Sequence, residues 1–263
     1  MHYVEDPLEI SGKIKQYGLH NSIGGEHERG GTFNTLTHFG LSYIEFLGIK
    51  DREKFIHQQS EIFEYSPMAT INQNLGKQGF VRFAIRTNNL QDIADRLTQK
   101  GIKIDGPTPL SRKTPEGKVL SWKLLYAGSS LSELALPFFI DWEQDDEERK
   151  TYLFENNLLS PHSKGALSLE YVAFAVKDFS TSYDLWKEWF GLEAGENYRD
   201  EEWNAEVRTL KLNGGNLLFA KPLGQGFVNE VIQNRGSSPF MVGLLGAKEK
   251  ADIHLNGGIY RFL

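Results

Sequence analysis

The sequence predicts an α+β protein built from tandem β-α-β-β-β modules. A unit of apolar strand, amphipathic helix and Gly-apolar step recurs along the chain, and such self-similarity indicates a repeated supersecondary structure. Strand-like runs separated by turn residues follow the helices of this unit. The composition, with 40% hydrophobic and 24% charged residues, is that of an ordinary globular protein, and 263 residues are enough for two domains.

The clearest copy of the unit starts with an apolar strand at residues 174–178. The apolar residues that follow are spaced by four, three and four, which is helical spacing: Phe179, Tyr183, Trp186 and Phe190. The same order recurs at residues 83–102, where Gly101 is placed to end the helix in the left-handed conformation. A shorter copy runs over residues 4–19, so the unit occurs three times.

A fourth, weaker copy is predicted from Pro239 through a short helical segment to Phe262. Before it, residues 207–212 alternate apolar and polar side chains and are followed by Asn213-Gly214-Gly215, which predicts a hairpin. Charged residues are dense over 141–150, and this run predicts a solvated connection. The expected organisation is therefore a two-module domain at 1–142, a connection at 143–165 and a second pair at 166–263, whose last module is short.

The charge balance and the absence of cysteine exclude several classes of function. Twenty-nine basic and 35 acidic residues give a net charge of -6, so no general attraction to nucleic acid or anionic lipid is expected. With no cysteine, thiolate nucleophiles and thiolate metal sites are excluded. The printed sequence contains no signal-peptide pattern and no run of the ~20 apolar residues that a membrane helix needs, which predicts a cytoplasmic location.

Two groups of residues form a more specific pattern. The first is Gly18-Leu19, Gly24-Gly25, His27, Gly31-Thr32, Asn34-Thr35-Leu36, Gly40 and Tyr43-Ile44-Glu45-Phe46; the second is Arg112, Pro115-Glu116-Gly117, Leu120, Trp122 and residues 136–142. Together they resemble the glyoxalase-like branch of the vicinal oxygen chelate superfamily over nearly the whole chain. The resemblance implies modules paired into curled mixed sheets around a cleft. In many members a divalent metal there chelates two neighbouring oxygens of the substrate and stabilises enolate charge, whereas others bind antibiotics without transforming them.

The resemblance implies a metal held by a His on the first strand and a Glu on the last strand of each paired module. Glu45 matches a carboxylate position, and its alternative interpretation is a polar strand end. The position of the first-strand His is occupied by Phe80 in the second copy and by Tyr171 in the third. The segment of the third copy that would supply the carboxylate has no acidic residue between Asn216 and Lys221. The visible residues therefore do not complete the four-ligand set, and Glu45 is the one metal ligand that we predict.

The corresponding position of the first copy falls before the printed sequence. Alignment of residues 4–6 with residues 176–178 sets His2 opposite Phe174, so the position matching Tyr171 lies three residues before His2. Because strand side chains alternate faces, His2 cannot replace it. We expect Met1 to lie inside a strand that begins upstream, with a His three residues before His2, which translation of the upstream DNA would test.

Six further residues are predicted to line the cleft with Glu45: His27, Thr32, Asn34, Arg112, Trp122 and Trp142. His27 lies in a glycine-bounded stretch and is a candidate general base beside Glu45, although a lone loop His is usually only solvated. Arg112 would bind a carboxylate or vicinal oxygens of a ligand, or is simply part of a surface hairpin. Trp122 and Trp142 would form aromatic walls, but Trp142 is also a typical core residue.

Three functions agree with these patterns. The first is an enzyme, a lyase, isomerase or dioxygenase-like protein, in which Glu45 or His27 removes a proton next to a carbonyl and Arg112 holds the developing charge. The second is a protein that binds an apolar oxo or aromatic compound without transforming it, which the incomplete ligand set favours. The third is a scaffold whose modules pair between chains, as in a homodimer.

Overall fold

The computed structural model describes residues 1–27, 30–57, 62–74, 76–113, 117 and 119–263. We call residues 1–142 the N-terminal unit and residues 166–263 the C-terminal unit. The first module and the segment after it contain β1 (His2–Tyr3), α1 (Pro7–Gln16), β2 (Ser22–His27), β3 (Thr32–Phe39), β4 (Ser42–Ile49), α2 (Arg52–His57) and α3 (Pro67–Gln73). The second module contains β5 (Gly79–Phe80), β6 (Ala84–Arg86), α4 (Leu90–Gln99), β7 (Lys103–Lys113), β8 (Val119–Gly128) and β9 (Phe138–Asp141).

The C-terminal unit contains one complete module followed by a shorter one. Its elements, with the helix that precedes them, are α5 (Asp146–Glu155), β10 (Gly165–Ala175), α6 (Tyr183–Phe190), β11 (Ala194–Asp200), β12 (Ala205–Leu210), β13 (Asn216–Pro222), α7 (Phe227–Arg235), β14 (Ser238–Ala247), β15 (Ala251–Leu255) and β16 (Gly258–Phe262). The short helical segment predicted between the strands of the fourth copy is wrong. Only residues 248–250 separate β14 from β15, which is too short for a helical turn with its caps.

The strands of the described residues form three open mixed sheets, which confirm the predicted α+β class. Their strand orders are β2-β3-β4-β1-β5, β6-β9-β8-β7 and β11-β12-β13-β10-β14-β16-β15. In each complete module, the strand directly before the helix pairs in parallel with the last strand, as β1 does with β4, β6 with β9 and β10 with β13. Residues 81–83 lead from β5 in the first sheet directly to β6 in the second, which brings the two sheets together.

Local sequence explains where the helices begin and end. Asp6 caps α1 by accepting hydrogen bonds from the backbone N–H groups of Leu8 and Glu9, at 2.8 and 3.3 Å. At its far end, α6 closes on Gly191 at a φ of 64°, the left-handed conformation that glycine permits. The helix predicted from Phe179 begins only at Tyr183, because residues 179–182 form a turn in which the Ser182 hydroxyl donates to the Asp178 carbonyl.

The predicted connection contains a helix rather than solvated coil alone. Asp145 and Glu148 form a capping box at the start of α5, so the charge-dense run is the first turn of this helix. Two of its side chains, Arg149 and Leu153, are buried. The segment between the units therefore packs against the protein.

The two units share their cores. One apolar cluster joins α4, β8 and β9 to α6, β10 and β13, with the fully buried Trp186 packed against Phe83, Phe174 and Phe219. A second cluster joins α1 and β4 to β14 and β16. Within the described ranges, no helix has the length and apolar character that crossing a membrane requires.

His2 lies in this second interface. Its Nε2 donates to the Asn256 carbonyl at 3.0 Å, and its Nδ1 lies 2.5 Å from the Tyr260 hydroxyl. The ring therefore faces the C-terminal sheet and not the interior of the N-terminal unit.

Candidate functional site

A cavity of about 330 Å³ lies between the two sheets of the N-terminal unit. All seven residues predicted from the sequence line it: His27, Thr32, Asn34, Glu45, Arg112, Trp122 and Trp142. They come from β2, β3, β4, β7, β8 and the end of β9, so the pairing of the two modules brings them together. The volume is at the lower end of the range that accommodates small organic ligands. Of the motif that follows Arg112, residues 114–116 lie outside the described part of the chain.

Asn34 holds the carboxylate of Glu45. The two residues lie on the adjacent strands β3 and β4, and Asn34 Nδ2 donates to Glu45 Oε1 at 2.5 Å. Gly24 on β2 makes room for this amide, because a Cβ at that position would lie 1.9 Å from Asn34 Oδ1. One carboxylate oxygen is thus fixed by the protein, whereas none of the described residues donates a hydrogen bond to Oε2.

His27 is placed as a neutral imidazole. Its Nδ1 lies 3.0 Å from the Thr32 hydroxyl, and its ring packs edge-on against Trp122 with the ring centroids 6.2 Å apart. Burial lowers the pKa of His27; Arg112 lowers it further, while Glu45 opposes the shift. The ring can therefore exchange hydrogen bonds with a ligand without adding a charge near neutral pH.

Aromatic side chains form one wall of the cavity. The rings of Trp122 and Trp142 lie 5.6 Å apart, and Tyr43 packs against Trp142 at 6.5 Å. Burial raises the pKa of the Tyr43 hydroxyl, and the nearby Glu45 adds to this, so the hydroxyl keeps its proton. This wall suits the apolar or aromatic part of a ligand.

Arg149 also lines the cavity, and sequence analysis missed it. Its guanidinium stacks over the ring of Trp142 at 3.7 Å, and the side chain is 4% exposed. Burial lowers the pKa of Arg149 to about 10, so the group stays charged. The sequence contains one feature that could have indicated its burial. Arg149 lies four residues before Leu153, and residues four apart share one face of a helix.

His38 is a second residue that sequence analysis missed, because no neighbouring residue in the sequence suggests chemistry for it. The ring lines the cavity and is 2% exposed, and neither ring nitrogen has a hydrogen-bond partner among the residues that the structure describes. Burial lowers its pKa to about 3, with the Arg149 charge adding to the effect. His38 is therefore neutral in the folded protein.

This burial predicts an acid-sensitive contribution to stability. An unfolded His takes up a proton near pH 6.5, whereas folded His38 does so only near pH 3, so the unfolded state binds more protons between these values. Stability is then complete above pH 6.5 and falls with decreasing pH at about 1.4 kcal/mol per pH unit for this group. His38→Phe should reduce this slope of the free energy of unfolding in urea by about 1.4 kcal/mol per pH unit, while His2, whose pKa burial also lowers to about 3, keeps its own contribution to the slope. The exposed control His254→Gln should retain the full slope, and an unchanged slope in His38→Phe would contradict the assignment.

The family model for the glyoxalase-like domain matches residues 1–190. The chain belongs to this glyoxalase-like family. This glyoxalase-like protein is similar in structure to a hypothetical protein from Staphylococcus aureus, with 25% identity and a TM-score of 0.81. The match covers 100% of the present chain and 96% of the Staphylococcus aureus chain. A mutant of 4-hydroxymandelate synthase from Streptomyces coelicolor shares the fold, with 12% identity, a TM-score of 0.60 and coverage of 93% of this chain and 69% of that one. No curated protein sequence matches the chain significantly.

The glyoxalase-like fold implies a divalent metal in this cleft, with Glu45 as the predicted ligand. Among the residues that the structure describes, no three His, Asp or Glu side chains converge to hold a metal ion. Glu45 Oε1 is already bound to the Asn34 amide, which cannot donate to a metal through its nitrogen. The described residues therefore do not fit the implied ligand set.

The C-terminal unit of this glyoxalase-like protein does not repeat the pair Glu45 and Asn34. His2 pairs with Phe46, and its counterpart Phe174 pairs with Phe219, so the positions that match Glu45 and Asn34 are Leu218 and Val207. Both lie in an apolar cluster with Ala173, Met241 and Val228 of α7, which fill this face of the sheet. At these two positions the C-terminal sheet therefore carries apolar side chains in place of the carboxylate and its amide.

Proposed function

We propose that the cavity binds a small carbonyl compound and that Glu45 removes a proton from the carbon next to the carbonyl. The observation that carries this proposal is the Glu45 carboxylate, anchored on one oxygen by Asn34 at the wall of an otherwise largely apolar cavity. A positioned carboxylate in such surroundings can act as a general base. The family supports a role with small molecules.

The step begins when the C–H proton moves to Glu45 Oε2. The electron pair of that bond forms the carbon–carbon double bond of an enolate, and the negative charge moves to the carbonyl oxygen. Arg112 supplies a buried positive charge on the same cavity, where it stabilises the oxygen more strongly than in water. Return of the proton from Glu45 to a neighbouring atom of the enolate, on the same face, completes an isomerisation, with no other reactant consumed.

A second candidate is a protein that sequesters such a compound without transforming it. The aromatic wall of Trp122 and Trp142 and the misfit to the implied metal ligand set favour this alternative. The two candidates differ in one measurable property, the exchange of the proton next to the carbonyl with solvent. The cytoplasmic location, the homodimer and metal binding through Glu45 stay predictions from the sequence.

The test combines a thermal-shift screen with proton exchange. Small 2-oxo and 3-oxo acids that bind the folded state should raise the midpoint of unfolding by mass action. A compound that binds is then incubated with the protein in D₂O, and loss of its α-proton signal is followed by NMR. Catalysed exchange supports the enzyme, binding without exchange supports sequestration, and the absence of binding by every oxo compound would contradict both.

A further inference from the structure

We infer that the cavity recognises a carboxylate group, which binds the guanidinium group of Arg149. The inference rests on the proposed function, because it names the class of ligand that the same cavity takes: an oxo carboxylic acid with an apolar or aromatic body. It adds a residue, Arg149, that lies in the helix between the two units and not in a module.

Arg149 is a buried cation at the wall of the cavity. Its Nη1 donates one hydrogen bond, to Gln144 Oε1 at 3.4 Å, and no described carboxylate forms an ion pair with it. By contrast, the half-buried Arg261 binds both Asp252 and Glu202. A guanidinium has five N–H donors, so most of those on Arg149 remain for a group in the cavity.

Burial removes hydration from the Arg149 guanidinium, and an anion in the cavity would offset that loss. The neighbouring ring of His38 is neutral, so it supplies no negative charge to the site.

The shape of the site favours a carboxylate. The stack of Arg149 on Trp142 fixes the plane of the guanidinium, which matches the planar, two-pronged geometry of a carboxylate. The same tryptophan and Trp122 offer a surface to an apolar body attached to it. Glu45 lines the same cavity, so a carbonyl next to the bound carboxylate would bring its α-carbon towards the proposed base.

The test compares acids with their uncharged amides. Benzoate and benzamide have no C–H on a carbon next to the carbonyl, so they probe the anion site apart from the reaction, whereas phenylpyruvate and phenylpyruvamide probe both. Calorimetry should show that each acid binds about 10- to 100-fold more tightly than its amide, the range of a charge-assisted hydrogen bond. Arg149→Met should remove most of that difference without weakening the amides, and Arg149→Lys should be intermediate.

The matched control is Arg199→Met, because Arg199 is exposed and paired with Glu201 on the surface of the C-terminal unit. It should leave the preference for acids unchanged. Retained amide binding shows that Arg149→Met is folded. Equal binding of acids and amides by the unchanged protein, or an unchanged preference in Arg149→Met, would overturn the inference. Acid preference without α-proton exchange would support the anion site and contradict the proposed reaction, so the two failures are distinct.

Discussion

Glu45→Gln is expected to slow exchange of the α-proton by about 10²- to 10⁴-fold, the usual contribution of a general base. The glutamine side chain has nearly the same shape, and its carbonyl oxygen can still accept the hydrogen bond from Asn34 Nδ2. It cannot take up a proton from carbon. Ligand affinity should therefore change little while the NMR exchange rate falls.

The matched variant is His27→Gln, since His27 is the alternative base on the same cavity. Its hydrogen bond to Thr32 can be replaced by a glutamine, so its effect on the exchange rate should be smaller than that of Glu45→Gln. The reverse order of effects would assign the base to His27. Loss of binding in Glu45→Gln would instead show that the carboxylate positions the ligand.

Phe219→Ala is expected to lower the free energy of unfolding by about 3–5 kcal/mol, the cost of removing a fully buried phenyl ring. Phe219 is 0% exposed, and its ring packs against Phe174, Tyr183 and Trp186 at centroid distances of 5.5, 5.6 and 5.4 Å. This cluster also contains residues of the N-terminal unit. Chemical unfolding should therefore show the loss with probes in both units.

The matched control is Phe154→Ala at a side chain that is 72% exposed. An exposed phenylalanine contributes little packing, so this change should stay within about 0.5 kcal/mol. Similar effects of the two substitutions would contradict the assignment of the shared core. A loss confined to probes in the C-terminal unit would show that the two units unfold separately.

The repeated modules could be predicted because their signal is local. Apolar spacing at 83–102 and at 174–191 reports which face of each helix is buried, and this does not depend on distant contacts. The start of α6 could not be placed in the same way, because Phe179 continues the apolar spacing although the backbone around it forms a turn. The helix predicted in the fourth copy was wrong for a similar reason. A repeat pattern does not show that only residues 248–250 lie between β14 and β15, which is too few for a helix.

Part of the candidate site could be predicted because of the family resemblance and not because of local spacing. Glu45, Asn34 and His27 belong to one pattern that the resemblance makes recognisable. Arg149 and His38 became apparent only in the folded chain, because their burial depends on where α5 packs and how the two sheets face each other. A charged residue in a charged run gives no sign that its neighbours in space are aromatic.

The apolar face of the C-terminal sheet has a consequence for stoichiometry. Leu218 and Val207 stand where the other sheet has Glu45 and Asn34, and side chains of α7 fill the space in front of them. The two sheets therefore share a backbone arrangement but differ in the side chains that could bind a ligand at this position. A calorimetric isotherm for the Glu45 cavity should fit one equivalent of ligand per chain, although the chain contains two related sheets that could each have formed a binding face.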